Sequence, residues 1–191
     1  MRELRLWGNG LEDEGTAALA SSPYLTNLTD LDLSVNDVGD RGLEALARSR
    51  RLRRLETLDL SDSLASALGV QTLAESRNVA RLTQLELGEN FLGDLGALAL
   101  GGSPYLARLT VLGLRYSRIG PEGARELAQS PHLKRLRKLN LEDNNLGVEG
   151  ARALAASPYL KDLVVLQVED CNIGPEGVAA LRARFGDAVV F

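Results

Sequence analysis

One histidine and one cysteine set a low ceiling on the chemistry open to this chain. His132 stands at the same repeating place as Tyr24, Tyr105 and Tyr159, with no nucleophile or second metal ligand near it, so neither a catalytic triad nor a zinc site is expected. Cys171 has no partner for an internal disulfide and no neighbouring His or Lys pattern to activate it, and it reads as a structural residue. The spacing GxxG, as in Gly120 to Gly123, is that of a phosphate-cradling loop, but it recurs in five units at one place, which points to packing. Asn27-Leu28-Thr29 matches a glycosylation acceptor and is read as incidental, because the opening MRELRLWGNG has no apolar leader. No catalytic, cofactor-binding or metal-binding residue is expected, and the chain is read as not an enzyme.

The remaining chemistry is that of recognition. Residues recur at intervals of 27, and the fifth place of each unit reads Arg5, Asp32, Asp59, Glu86, Gly113, Asn140 and Gln167. The eighth reads Gly8, Val35, Asp62, Glu89, Tyr116, Asp143 and Asp170. Units two to four are therefore acidic. Carboxylates on adjacent strands about 5 Å apart repel by about 0.8 kcal/mol even in water, a cost that a basic partner relieves. In unit five the character changes to Arg115, Tyr116 and Arg118, with Phe91 before them and Glu142, Asp143, Glu169 and Asp170 beyond. Exposed tyrosine and arginine are enriched at interface hot spots. The candidate partner-binding set is thus Asp32, Asp59, Asp62, Glu86, Glu89, Phe91, Arg115, Tyr116, Arg118, Glu142 and Glu169. A formal charge of −4 argues against a general nucleic-acid binder. The basic clusters Arg48–Arg54 and Lys134–Lys138 are read as solvated edges.

The elements that must carry these residues are legible in LRKLNLEDNNLGVEGARALAASPYLKD, Leu136 to Asp162. Leu139 and Leu141 alternate with polar residues, as in a strand with one buried face. Ala151, Leu154 and Ala155 follow helical spacing, and Ser157-Pro158 ends that helix. Units of this kind begin at Met1, Leu28, Leu55, Leu82, Leu109, Leu136 and Leu163 without insertion, leaving only Val190 and Phe191. A fixed period with no linkers predicts a solenoid and a single domain over 1–191.

The fourth place is leucine in all seven units, which predicts a ladder of parallel strands with touching leucines. The ninth place, Asn9, Asn36, Ser63, Asn90, Ser117, Asn144 and Cys171, is expected to bond backbone groups where the chain leaves the strand. Glycine recurs at the fifteenth place, and a close approach of helix to sheet is the expected reason. Acidic residues at helix starts and basic residues at helix ends oppose the helix dipoles.

LxxLxLxxN followed by IGxxGAxxLAxSPxL resembles the leucine-rich repeats of the ribonuclease-inhibitor-like subfamily, in short bacterial-type units, over essentially the whole chain. That resemblance implies an α/β horseshoe, with strands lining the concave side and helices outside, and protein binding as the activity. The third unit departs from it at Ser63 and Ser66, and the first at Glu12. The ending RARFGDAVVF reads as a C-terminal cap over about 182–191, whereas no comparable cap precedes Met1. The first strand is therefore an expected site of edge-strand self-association, with Trp7 partly covered by it. The resulting expectation is a cytoplasmic scaffold that binds a protein partner with basic groups on its concave face, with no membrane or nucleic-acid partner and no cofactor. The subfamily also contains activators of small GTPases, so regulation of such an enzyme is the alternative, as is a repeat segment of a larger sensor protein.

Overall fold

Each sequence unit becomes one short strand and one helix. The computed structural model describes residues 1–191. The strands are β1 (Glu3–Arg5), β2 (Asp30–Asp32), β3 (Thr57–Asp59), β4 (Gln84–Glu86), β5 (Val111–Gly113), β6 (Lys138–Asn140), β7 (Val165–Gln167) and β8 (Val189–Val190). They form one sheet in chain order. The helices are α1 (Glu12–Ser21), α2 (Asp40–Arg48), α3 (Ala67–Ala74), α4 (Gly93–Gly102), α5 (Pro121–Ala128), α6 (Gly147–Ala155) and α7 (Gly174–Phe185).

The register puts like places side by side, so Leu31, Leu58, Leu85, Leu112, Leu139 and Leu166 pair in succession through parallel strands. All six are buried, as the strand period predicts. The strands occupy the third to fifth places, one residue earlier than the leucine spacing indicates. The sixth place still joins the ladder, with the Leu60 N–H donating to Glu86 O at 2.9 Å. The eighth strand, beyond the seven expected, comes from the apolar end of the chain and sets Leu166 beside Val189. Strands pack about 4.8 Å apart and helices about 8–10 Å apart, so the helical side is the longer and the sheet becomes the concave side.

From the second unit onward, the ninth-place asparagines bond the turns of two units at once. Asn144 accepts from Ser117 N at 3.1 Å and Ile119 N at 2.8 Å, and donates to Leu114 O, Leu141 O and Glu142 O. Asn36 and Asn90 act in the same way. Ser63, lacking the amide's reach, leaves its buried hydroxyl without a partner. The Cys171 thiol donates to Leu141 O at 2.9 Å, and burial pushes its pKa up to about 11, which keeps it protonated and unreactive.

The glycine column has a different cause from the expected one. A Cβ on Gly177 would stand 2.8 Å from Ala151 Cβ, and one on Gly123 would stand 2.6 Å from Asp94 Oδ1 and 3.0 Å from Ala97 Cβ. The close approach is therefore to the preceding helix, not to the sheet. The acidic residues at helix starts also do more than oppose a dipole. Asp13 Oδ1 accepts from Gly39 N and Gly42 N, both at 2.8 Å, and Asp94 accepts from Gly120 N and Gly123 N, so each caps the next unit's helix. A second ladder runs along the other helix ends. The hydroxyls of Ser49, Ser103, Ser130 and Ser157 each donate at 2.5 Å to the last turn of the preceding unit's helix.

Candidate partner-binding face

The strand face of units two to four carries Asp32, Asp59 and Glu86 as adjacent residues of the parallel register. Two of the three are bound in place by their own strand ends. Asp32 Oδ1 accepts from Ser34 N at 3.0 Å and Ser34 Oγ at 2.7 Å, and Asp59 Oδ1 accepts from Ser61 N at 2.9 Å. Glu86 lies half-buried across Gly113, whose missing side chain leaves the space that the carboxylate fills. Burial, and then the charge of Asp59, push the Glu86 pKa up, while Gln84 Nε2, donating at 3.2 Å, and the more distant Lys138 oppose this. Next to this group a depression of about 250 Å³ is lined by Glu3, Arg5, Asp30, Asp32 and Asp59 among others, with Arg5 already paired to Glu3.

The eighth-place residues do not share that face. Val35, Asp62, Glu89, Tyr116, Asp143 and Asp170 all have φ between 49° and 58°. This left-handed turn leaves the strand and throws their side chains onto a rim beside it. Asp62, Glu89 and Tyr116 are exposed there, as is the seventh-place Glu169. Arg115 joins the rim across three units. Its Nε lies 2.8 Å from Asp143 Oδ2 and 4.0 Å from Glu142 Oε2, and its Nη1 lies 3.4 Å from Glu89 Oε1. The hydrogen bond that its Nε donates to Asp143 raises the Arg115 pKa still further, so this guanidinium is a fixed cation. Glu142 is held in turn by Gln167 Nε2 at 2.7 Å. Tyr116, 64% exposed, overlooks a hollow of about 510 Å³ that also touches Asp143, Asp170 and Asn172.

Phe91 and Arg118 are placed elsewhere. The Arg118 guanidinium stacks 4.5 Å from the centre of the Phe91 ring, and Phe91 lines a groove between α3 and α4 on the helical side. The candidate residues therefore form three groups: a strand-face acidic row, a rim centred on Arg115 and Tyr116, and the Arg118–Phe91 stack. The groove contributes only Phe91 to the candidate set, and its signal in the sequence is that Leu68 and Leu95 interrupt a fourteenth-place column that is otherwise glutamate or arginine.

Four stretches, residues 24–47, 108–128, 129–155 and 159–181, match the family model described as Leucine Rich repeat. The chain is a leucine-rich repeat protein. Its matched repeats fall in units one and two and in units five to seven, and the repeats between the first two matches hold both Glu86 and the α3–α4 groove. A comparison with curated proteins finds no match. No helix of this leucine-rich repeat protein is long and apolar enough to cross a membrane. Repeats of this family generally mediate protein–protein interaction.

Proposed function

We propose that this leucine-rich repeat protein is a non-enzymatic interaction module of the ribonuclease-inhibitor-like kind, acting in the cytoplasm. Its concave face receives a protein partner that carries basic groups. The observation that carries this reading is Glu86, held half-buried beside Asp59 with its pKa raised. Ionised carboxylates crowded in this way are relieved by a cation from outside. Arg115 is already engaged by Asp143 and Glu89, so it organises the rim, and Tyr116 is the residue left free to anchor the partner.

Affinity capture from lysate tests the reading, with the unaltered chain and the Asp59→Lys/Glu86→Lys variant as baits. A basic protein retained by the first and lost by the second is expected. Equal retention by both places the site off the concave face. Adding the captured partner to a nucleotide-hydrolysis assay separates plain binding, which leaves turnover unchanged, from regulation of a GTPase. The outer edge of β1, with Trp7 65% exposed, is a second proposed contact, and freely quenched Trp7 fluorescence in an associated state would exclude it.

A further inference from the structure

The outer face of units three and four breaks with the columns that the other units share. At the fourteenth place five units carry glutamate or arginine, but these two carry Leu68 and Leu95, which are 66% and 71% exposed. At the tenth place the other units have glycine or a polar residue, and these two have Leu64 and Phe91. Leu68, Phe91, Leu95 and Leu98 border the groove of about 980 Å³ between α3 and α4, and Leu64 is exposed at the same repeat place as Phe91. A surface helix normally turns polar residues to water at such positions, and a contiguous apolar patch marks a contact surface.

The flanks of the patch indicate what covers it. On the unit-two side the tenth, fourteenth and seventeenth places are Asp37, Arg41 and Glu44, and on the unit-five side the same places are Arg118, Glu122 and Arg125. Place by place, the charges are opposite. A two-fold axis running along the groove, parallel to the helices, would set unit two of one copy against unit five of a second and unit three against unit four. Asp37 then meets Arg118, Arg41 meets Glu122 and Glu44 meets Arg125, each pair occurring twice. Between them Leu68 meets Leu95 and Leu64 meets Phe91. We propose that the chain forms a homodimer through this α3–α4 groove, leaving both concave faces open to partners.

An isologous contact must be self-complementary, so every requirement on it can be read from one chain. The helical side bows outward, and the two copies diverge away from the groove. The flanking residues include the long side chains of Arg41, Glu44, Glu122 and Arg125, which can cross a widening gap. Glu44 now pairs with Arg48 at 2.7 Å, but that pair is exposed and exchanges at little cost. Turning the axis by a quarter-turn would set unit two against unit two and bring Arg41 near Glu44 of the second copy, not near Glu122. The charge pattern therefore predicts the register as well as the face.

Sedimentation equilibrium on the full chain over a range of concentrations tests this directly. The unaltered chain is expected to be a dimer. Leu68→Glu with Leu95→Glu, both exposed and so compatible with an unchanged circular-dichroism spectrum, should raise the dissociation constant by about a hundredfold. Arg41→Glu alone should raise it by about tenfold, and adding Glu122→Arg should restore the original value. A chain that stays monomeric at every concentration, whether or not it binds phosphatidylcholine vesicles, overturns the proposal. So does a dimer indifferent to the leucine changes, which would lie at another surface such as the β1 edge. A second charge change that weakens the dimer further overturns the register.

Discussion

The inner and outer faces of units three and four depart from the repeat in opposite ways. Inside, Asp59 and Glu86 crowd like charges onto neighbouring strands, whereas outside Leu68 and Leu95 place apolar side chains where other helices have charged ones. The two departures are only one helix and one strand apart, and they rest on the same buried Leu58 and Leu85. Positions that touch the neighbouring unit obey the period because each must fit the same position of the next unit. Positions that face water are released from it, and both proposed contacts lie there.

Substitutions in the shared core, on the rim and on the strand face separate the two roles. The largest effect is expected from Leu85→Ala, which removes a fully buried side chain beneath both faces and should destabilise by about 2–5 kcal/mol in denaturant titration. Loss of only one face's binding at unchanged stability would show that the faces do not share a scaffold. Asn144→Ala strips five hydrogen bonds from two turns and should cost about 1–3 kcal/mol. An unchanged midpoint would mean that the turns hold without the asparagine.

Tyr116→Ala acts on the rim alone. It should weaken partner binding by about 2 kcal/mol through faster dissociation, whereas Asp59→Lys/Glu86→Lys should slow association and flatten its salt dependence. Surface plasmon resonance separates the two, and neither change should alter dimerisation. Ser63→Asn offers an amide to the position where a buried hydroxyl has no partner, and should raise stability by about 1 kcal/mol in the same titration.

The smallest effect is expected at Glu86 itself. Its folded-state pKa is raised above 4.5, so folding disfavours the ionised form. The related stability is fully present below the unfolded pKa and is lost as pH rises through the folded one. Glu86→Gln should therefore raise the denaturant midpoint near neutral pH, with the gain vanishing below about pH 4.5. A gain that persists in acid would point to packing over Gly113 as the cause.

Much of the scaffold was legible because its columns repeat. The fourth-place leucines, the ninth-place polar residues and the glycines at the fifteenth place appear at the expected positions. Their causes were less legible. Alternation and spacing say that Gly123 must lack a side chain, but only packing shows that Ala97 and Asp94 occupy the space. Spacing reads the eighth-place residues as outward strand positions, with Tyr116 alone on the rim, because a period of two cannot register the left-handed turn that rotates the whole column there. Phe91 reads together with Tyr116 because sequence distance does not reveal that its ring lies against Arg118 and lines the groove on the helical side.

The unit, its period, the parallel order of the strands and the columns that must be buried follow from the amino-acid pattern, because a solenoid makes every local requirement recur in register. Which polar residues are satisfied by each other and which remain free depends on packing between units. Arg115 and Tyr116 are adjacent in the chain, yet one is bound by acids from the units on both sides and the other stands open. The same is true of the α3–α4 groove. Its leucines are visible as breaks in a column, but their joint exposure depends on how two neighbouring helices pack, and that is a property of the assembled repeat.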